Sequence, residues 1–159
     1  MHRFILSFIL ILDLSIFATT GHADDFAVGA RAYDGGRVSE AVASWQQAAA
    51  AGHTGAMTAL ANLYLFGERV PRDPARAASW FPQAAERGDM TAQLNLGDLY
   101  RQGLGVVKNK IKSYFWLNRA AEQGNDWAKT TQQQLAKSMT ADERRQAEML
   151  LQTERQNRN

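Results

Sequence analysis

The sequence predicts an all-α fold, a short α/α solenoid of stacked helix pairs closed by a C-terminal capping helix. Three observations carry that prediction. Alanine fills 26 of the 159 positions. Four isoleucines (Ile5, Ile9, Ile11, Ile16) lie near the start, leaving Ile111 and six valines for everything that follows. Much alanine beside few β-branched residues favours helix over sheet. Next, residues 54–89 align with 90–125 without a gap, and 11 of the 36 positions are identical. A fixed period of this length marks a repeat architecture. Finally, glycine recurs at the same points of each copy, Gly67/Gly103 and Gly88/Gly124, where a helix would have to stop.

The first 23 residues read differently from the rest. Met1-His2-Arg3 is a short positive start, followed by an apolar run from Phe4 to Phe17 and a small, polar ending at Ala23. That order is the order of an export leader. The apolar run is interrupted by Asp13 and is short against the roughly 20 residues that cross a membrane. The expectation is cleavage after Ala23 and a periplasmic or secreted protein, with membrane contact only if the leader is retained.

Residues 24–53 form a first helix pair, in which Asp34-Gly35-Gly36 is the tight turn and Trp45 an inner residue. In the first full repeat, 54–89, Ala56, Leu60, Leu63 and Tyr64 follow a helical period and define a buried stripe. Gly67 ends that helix, and Asp73-Pro74 opens the next with a cap residue and a proline in the first turn. Trp80, Ala84 and Ala85 are assigned to the inner face of the second helix, and Pro82 is expected to bend it near Ala78–Pro82. The second repeat, 90–125, restates the pattern with Asn109 as the cap and Trp116, Ala120 and Ala121 inside. Residues 126–159 supply a further helix from Trp127 to about Lys137. Thr140-Ala-Asp-Glu143 then forms a capping box opening a last helix to roughly Glu154. Ala147 and Leu151 face inward there, Arg144, Arg145 and Glu148 outward, and Arg155–Asn159 is a frayed tail.

The repeated residues read Ala-x3-Leu-Ala/Gly-x-Leu-Tyr-x2-Gly, then Val, then Trp-x3-Ala-Ala-Glu-x-Gly-Asp/Asn. This pattern resembles the Sel1-like repeat, an α/α relative of the tetratricopeptide repeat. The resemblance implies a non-enzymatic interaction module. It would bind a protein or peptide along the concave face of its first helices, as an adaptor or regulator of an envelope protein. A sensor kinase or an exopolysaccharide assembly component would be such a target. In a tetratricopeptide-like register the groove positions are Thr58, Asn62, Leu65 and Phe66, then Leu94, Asp98, Arg101 and Gln102. Phe26, Ala30 and Tyr33 join them at one end, and Trp127, Thr130 and Gln134 at the other. Relatives described as antibiotic-hydrolysing or penicillin-binding staple their repeats with disulfides, and this chain has no cysteine.

Composition narrows the chemistry further. Eighteen basic residues against sixteen acidic ones give a net charge of only +2, without a lysine or arginine block, so nucleic-acid binding is not expected. Absence of cysteine excludes thiol catalysis and thiolate metal sites. Beyond the leader there is one histidine, His53, read as a polar turn residue where the other copies carry Asp89 and Asn125. No serine lies in a Gly-x-Ser-x-Gly elbow and no phosphate-cradling loop occurs, so no catalytic residue, cofactor or metal is assigned. Two alternatives stand beside the interaction module. One is a carboxylate enzyme acting on envelope polymers through the recurring Glu86 and Glu122, and the other a self-associating structural subunit.

Overall fold

The computed structural model describes residues 17–158, with side chains from 25 to 157. Eight helices make up the described residues, with no strand among them. They are α1 (Phe17–Asp34), α2 (Val38–Ala50), α3 (Thr54–Phe66), α4 (Pro74–Glu86), α5 (Met90–Gln102), α6 (Lys110–Glu122), α7 (Asp126–Lys137) and α8 (Ala141–Arg158). α1, α3 and α5 each pack on the even helix that follows, and each pair stacks on the next, through α6 against α7. The last helix, α8, departs from this order and lies chiefly on α6. The apolar run before residue 17 is outside the described residues, and the expected processing point between Ala23 and Asp24 falls inside α1.

Local chemistry fixes the helix boundaries. The side chains of His53, Asp89 and Asn125 occupy one repeat position and accept the N–H groups of Ala56, Ala92 and Ala128 at 3.2, 2.7 and 2.8 Å. They open α3, α5 and α7, so His53 is a helix cap, stacked on Phe26 with ring centres 4.5 Å apart. Asp73 and Asn109 do the same for α4 and α6, at 3.0 and 2.9 Å. At the other end, α3 and α5 stop at Gly67 and Gly103, with φ of 71° and 75°. That left-handed geometry costs a residue with a Cβ on the order of 1 kcal/mol or more.

The repeats are also zipped along the turns that join them. Arg87 donates to the carbonyl of Gly52 at 2.8 Å, and Gln123, its counterpart one period on, donates to that of Gly88 at 3.0 Å. Gln123 reaches Gln93 Oε1 as well, at 2.8 Å, while Gln93 Nε2 donates to the Ala85 carbonyl at 2.9 Å. Gln93 is therefore a buried polar residue with its needs met.

Buried apolar side chains form two clusters along the stack, one from Ala32 through Leu60 and Phe81 to Leu96 and the other from Leu117 to Leu151. Burying each leucine or phenylalanine side chain here contributes about 1.5–3 kcal/mol. Trp45 is buried, and it fits because Gly29 faces it: a Cβ there would stand 2.4 Å from the indole. Trp80 and Trp116 differ from expectation. Both are half-buried against the core, and their neighbours Phe81 and Leu117 occupy the centre. The buried stripe of α4 is Ala77, Phe81, Ala84 and Ala85, a spacing that turns residue 80 to the flank. Through Pro82 the helix continues unbroken from Pro74 to Glu86.

At the C-terminus Thr140 and Glu143 form the reciprocal box, with bonds of 2.7 and 3.1 Å. Ala147 and Leu151 are buried as expected. Glu148 is exposed, as expected, and also accepts the Tyr114 hydroxyl at 2.6 Å. The helix also runs past Glu154 to Arg158, because α8 is tied to α6 by Arg119–Glu154 at 3.0 Å and Arg155–Glu122 at 2.5 Å.

Candidate interaction surface

The odd helices present one side of the stack, and three cavities open along it at successive repeat junctions. The first, about 200 Å³ between α1 and α3, is lined by Tyr33, Ala59, Asn62, Leu63, Phe66 and Glu68, with Trp45 behind. The second, about 240 Å³ between α3 and α5, has Leu65, Phe66, Arg72, Asn95, Asp98 and Gln102 in its walls. The third, about 260 Å³ between α5 and α7, is bounded by Arg101, Lys108, Lys110, Thr131, Gln134 and Ser138. Phe66 belongs to the first two and is the most exposed apolar side chain of the three sites, at 61%.

Polar groups on this side are held in place. Tyr33 donates its hydroxyl to Glu68 at 3.3 Å and lies against Trp45, ring centres 5.5 Å apart. Burial, and then the neighbouring Glu68 carboxylate, push that phenol above its ordinary value. Asn95 donates to Asn62 at 3.0 Å, bridging α3 and α5. One carboxylate, Asp98, receives both Arg101 at 2.6 Å and Gln102 at 2.5 Å, each about one helical turn away. Arg72 is pinned by its bond to the Leu65 carbonyl at 2.9 Å. Lys110 donates to the Ser138 carbonyl at 2.5 Å, and both residues line the third cavity.

Of the residues expected to line a groove, Tyr33, Asn62, Phe66, Asp98, Arg101, Gln102 and Gln134 are found at these cavities. Two expectations need correction. Thr58 and Leu65 are buried, at 8% exposure each, so the buried part of α3 is wider than its periodic stripe indicates; Leu65 also lines the second cavity. Leu94 is half-buried against the α6–α8 part of the core. Phe26 packs on the core and stacks on His53. Trp127 is 48% exposed at the start of α7 but lines none of the three cavities. Glu68, Arg72, Asn95, Lys108 and Lys110 were not anticipated. Four of them lie in or beside the loops after Gly67 and Gly103, and the shared basic character of Arg72 and Lys108, one period apart, was the available signal.

A larger cavity, about 410 Å³, opens on the opposite layer between α4, α6 and α8, over Leu96, Tyr100, Phe115 and Trp116. Glu86 stands at its edge, whereas Glu122 faces a different cavity and pairs with Arg155. The two recurring carboxylates therefore do not share a site. Among the described residues no cluster of three or more His, Asp or Glu could hold a metal ion, and no helix is long and apolar enough to cross a membrane.

The family model for the Sel1 repeat matches residues 54–89 and 91–125. A Sel1 repeat protein from Oxalobacter formigenes superposes with a TM-score of 0.66 at 32% identity, over 78% of this chain and 97% of that one. This chain belongs to the Sel1 repeat family. A second solved relative is c5321, a protective antigen of uropathogenic Escherichia coli with the same type of repeat fold. It gives a TM-score of 0.72 at 31% identity, over 86% of this chain and 30% of that one. Two exopolysaccharide production negative regulators are also similar. The one from Rhizobium leguminosarum bv. viciae is 43% identical over 58 residues, and the one from Rhizobium meliloti (strain 1021) is 44% identical over 52. Those matches take in 36% and 33% of this chain but only 22% and 19% of the regulators' lengths. Sel1 repeats are protein-interaction modules, and their fold is typically a non-enzymatic scaffold.

Proposed function

We propose that this Sel1 protein is an exported adaptor or regulator that binds an envelope protein along the face of α1, α3, α5 and α7. The observation that carries the reading is the row of three cavities, one at each repeat junction, with Phe66 exposed between the first two. A row at repeat spacing suits an extended segment of a partner, which can place one side chain in each cavity. An exposed aromatic beside fixed polar groups is the usual makeup of a recognition anchor. Export is supported by the positive, apolar and small-residue order of the first 23 residues. Similarity to exopolysaccharide regulators makes control of an envelope polymer pathway a fitting role.

Fractionation of cells carrying the tagged full-length chain tests the location, and affinity capture from each fraction tests the partner. The expected result is the chain outside the cytoplasm with an envelope protein attached, lost in Phe66→Asp and kept in Leu150→Asp on the opposite layer. A cytoplasmic chain contradicts the export reading. Equal capture by both variants contradicts the assignment of the face.

A further inference from the structure

The three cavities differ in charge along the row. The first carries one carboxylate, Glu68, among apolar and aromatic walls. In the second, Asp98 is already matched by Arg101 and Gln102. The third is bounded by Arg101, Lys108 and Lys110 with no acidic residue in its lining. Among the described residues no carboxylate lies within ion-pair distance of Lys108 or Lys110. Lys110 spends one donor on the Ser138 carbonyl, and an ammonium has three. Arg101 is neutralised by Asp98, so Lys108 and Lys110 are the two cations of this cavity without a carboxylate partner, while the apolar anchor site lies two repeats away.

We infer that the segment bound by this face is acidic and has a defined spacing: an apolar side chain enters the first cavity and a Glu or Asp side chain the third. The inference rests on the reading of this face as a peptide groove. Neighbouring packed helices stand about 8–10 Å apart, so two steps along the row cover roughly 20 Å. An extended chain advances about 3.3 Å per residue, which puts the acidic residue about six positions from the apolar one. The polar middle of the row, Asn62, Asn95 and Gln102, faces the intervening backbone. Electrostatic complementarity of this kind sets partner choice and encounter rate, and it weakens with salt.

The test uses acetylated, amidated peptides of about ten residues, so that no terminal charge contributes. One set carries a Phe with two Glu about six positions away, in either chain direction; a second has Gln for Glu, and a third has Glu next to the Phe. Binding to the full chain is followed by fluorescence anisotropy at about 50 mM and about 500 mM salt. The expected result is binding of the spaced Glu peptide about tenfold tighter than the Gln and short-spaced peptides at low salt, with the gap closing at high salt. Lys108→Glu/Lys110→Glu removes the preference and Phe66→Asp weakens the spaced peptide, both with unchanged helical circular dichroism. Equal binding of Glu and Gln peptides, a preference kept by the double lysine variant, or no binding by any peptide overturns the inference. A preference for Glu that Phe66→Asp leaves untouched would instead place the peptide off the row and defeat the groove reading itself.

Discussion

The stacking of the repeats can be tested at Gly105. This residue has φ of 71°, and a Cβ built on it falls 2.3 Å from the carbonyl oxygen of Pro74 and 2.7 Å from the nitrogen of Ala75. The loop after α5 thus rests directly on the first turn of α4, with no space for a methyl group. Gly36 offers the control: its φ is 77° and nothing lies within 4 Å of the added Cβ. Gly36→Ala pays only the left-handed backbone cost, about 1–2 kcal/mol. Gly105→Ala bears that cost and a backbone clash as well, for which overpacking supplies about 1–3 kcal/mol. The expected loss at Gly105 is about 2–5 kcal/mol, a large part of the 5–15 kcal/mol typical of a folded domain. Position 69, one period earlier, shows that the backbone itself tolerates a side chain, since Arg69 has φ of 62° and sets its guanidinium 4.8 Å above the Tyr33 ring. Urea unfolding followed by circular dichroism measures both variants, with a shifted midpoint and an unchanged slope. A Gly105→Ala protein no less stable than Gly36→Ala would refute this packing of the repeats.

Three other outcomes follow from named contacts. Leu65→Asp places a charge at a buried position and should lower the thermal midpoint strongly, whereas Phe66→Asp, at a 61% exposed site, should leave it within a few degrees; a reversed order in differential scanning fluorimetry would contradict the burial pattern of α3. The Tyr114 phenol is pushed up to about 12, first by burial and then by its bond to Glu148. The folded chain therefore holds that proton more tightly than the unfolded one. Its contribution is present below the ordinary phenol value near 10 and is lost as pH rises from there toward 12. Stability of the parent should fall more steeply over that window than stability of Tyr114→Phe, and parallel pH profiles would count against the contact. Arg119→Met breaks the pair with Glu154 and should raise amide exchange in α8 by about tenfold or more while α1–α4 keep their protection; uniform exchange changes would mean that α8 is not separately tethered.

Much of this fold was legible because its signals are local and repeated. The period of residues 54–125, the glycine stops and the Thr140–Glu143 box each depend on a few neighbours in sequence, and the structure forms all of them. Helix phase was less readable. The stripe through Leu60, Ala61 and Tyr64 sets one buried face of α3, but Thr58 and Leu65 are buried as well, and burial by the rest of the fold is not contained in a single helix's pattern. Tryptophan misled for a related reason: its size suggests a core place, yet at 80 and 116 it packs beside the core while Phe81 and Leu117 fill it. The candidate surface was only half visible, since Glu68, Arg72, Lys108 and Lys110 lie in or beside the loops after the helix stops, where no periodicity runs. The seat of α8 depends on ion pairs between residues 33 and 35 positions apart, a separation that composition cannot connect.

The most direct test of the interaction face is a photocrosslinking residue introduced singly along both layers in living cells. Sites at Phe66, Gln102 and Gln134 sample the row of cavities, and sites at Gln83 and Leu150 sample the opposite layer. Crosslinks to one partner protein from the first three positions, and none from the last two, are the predicted result. Crosslinks confined to Gln83 and Leu150 would move the binding site to the cavity over Trp116 and contradict the account.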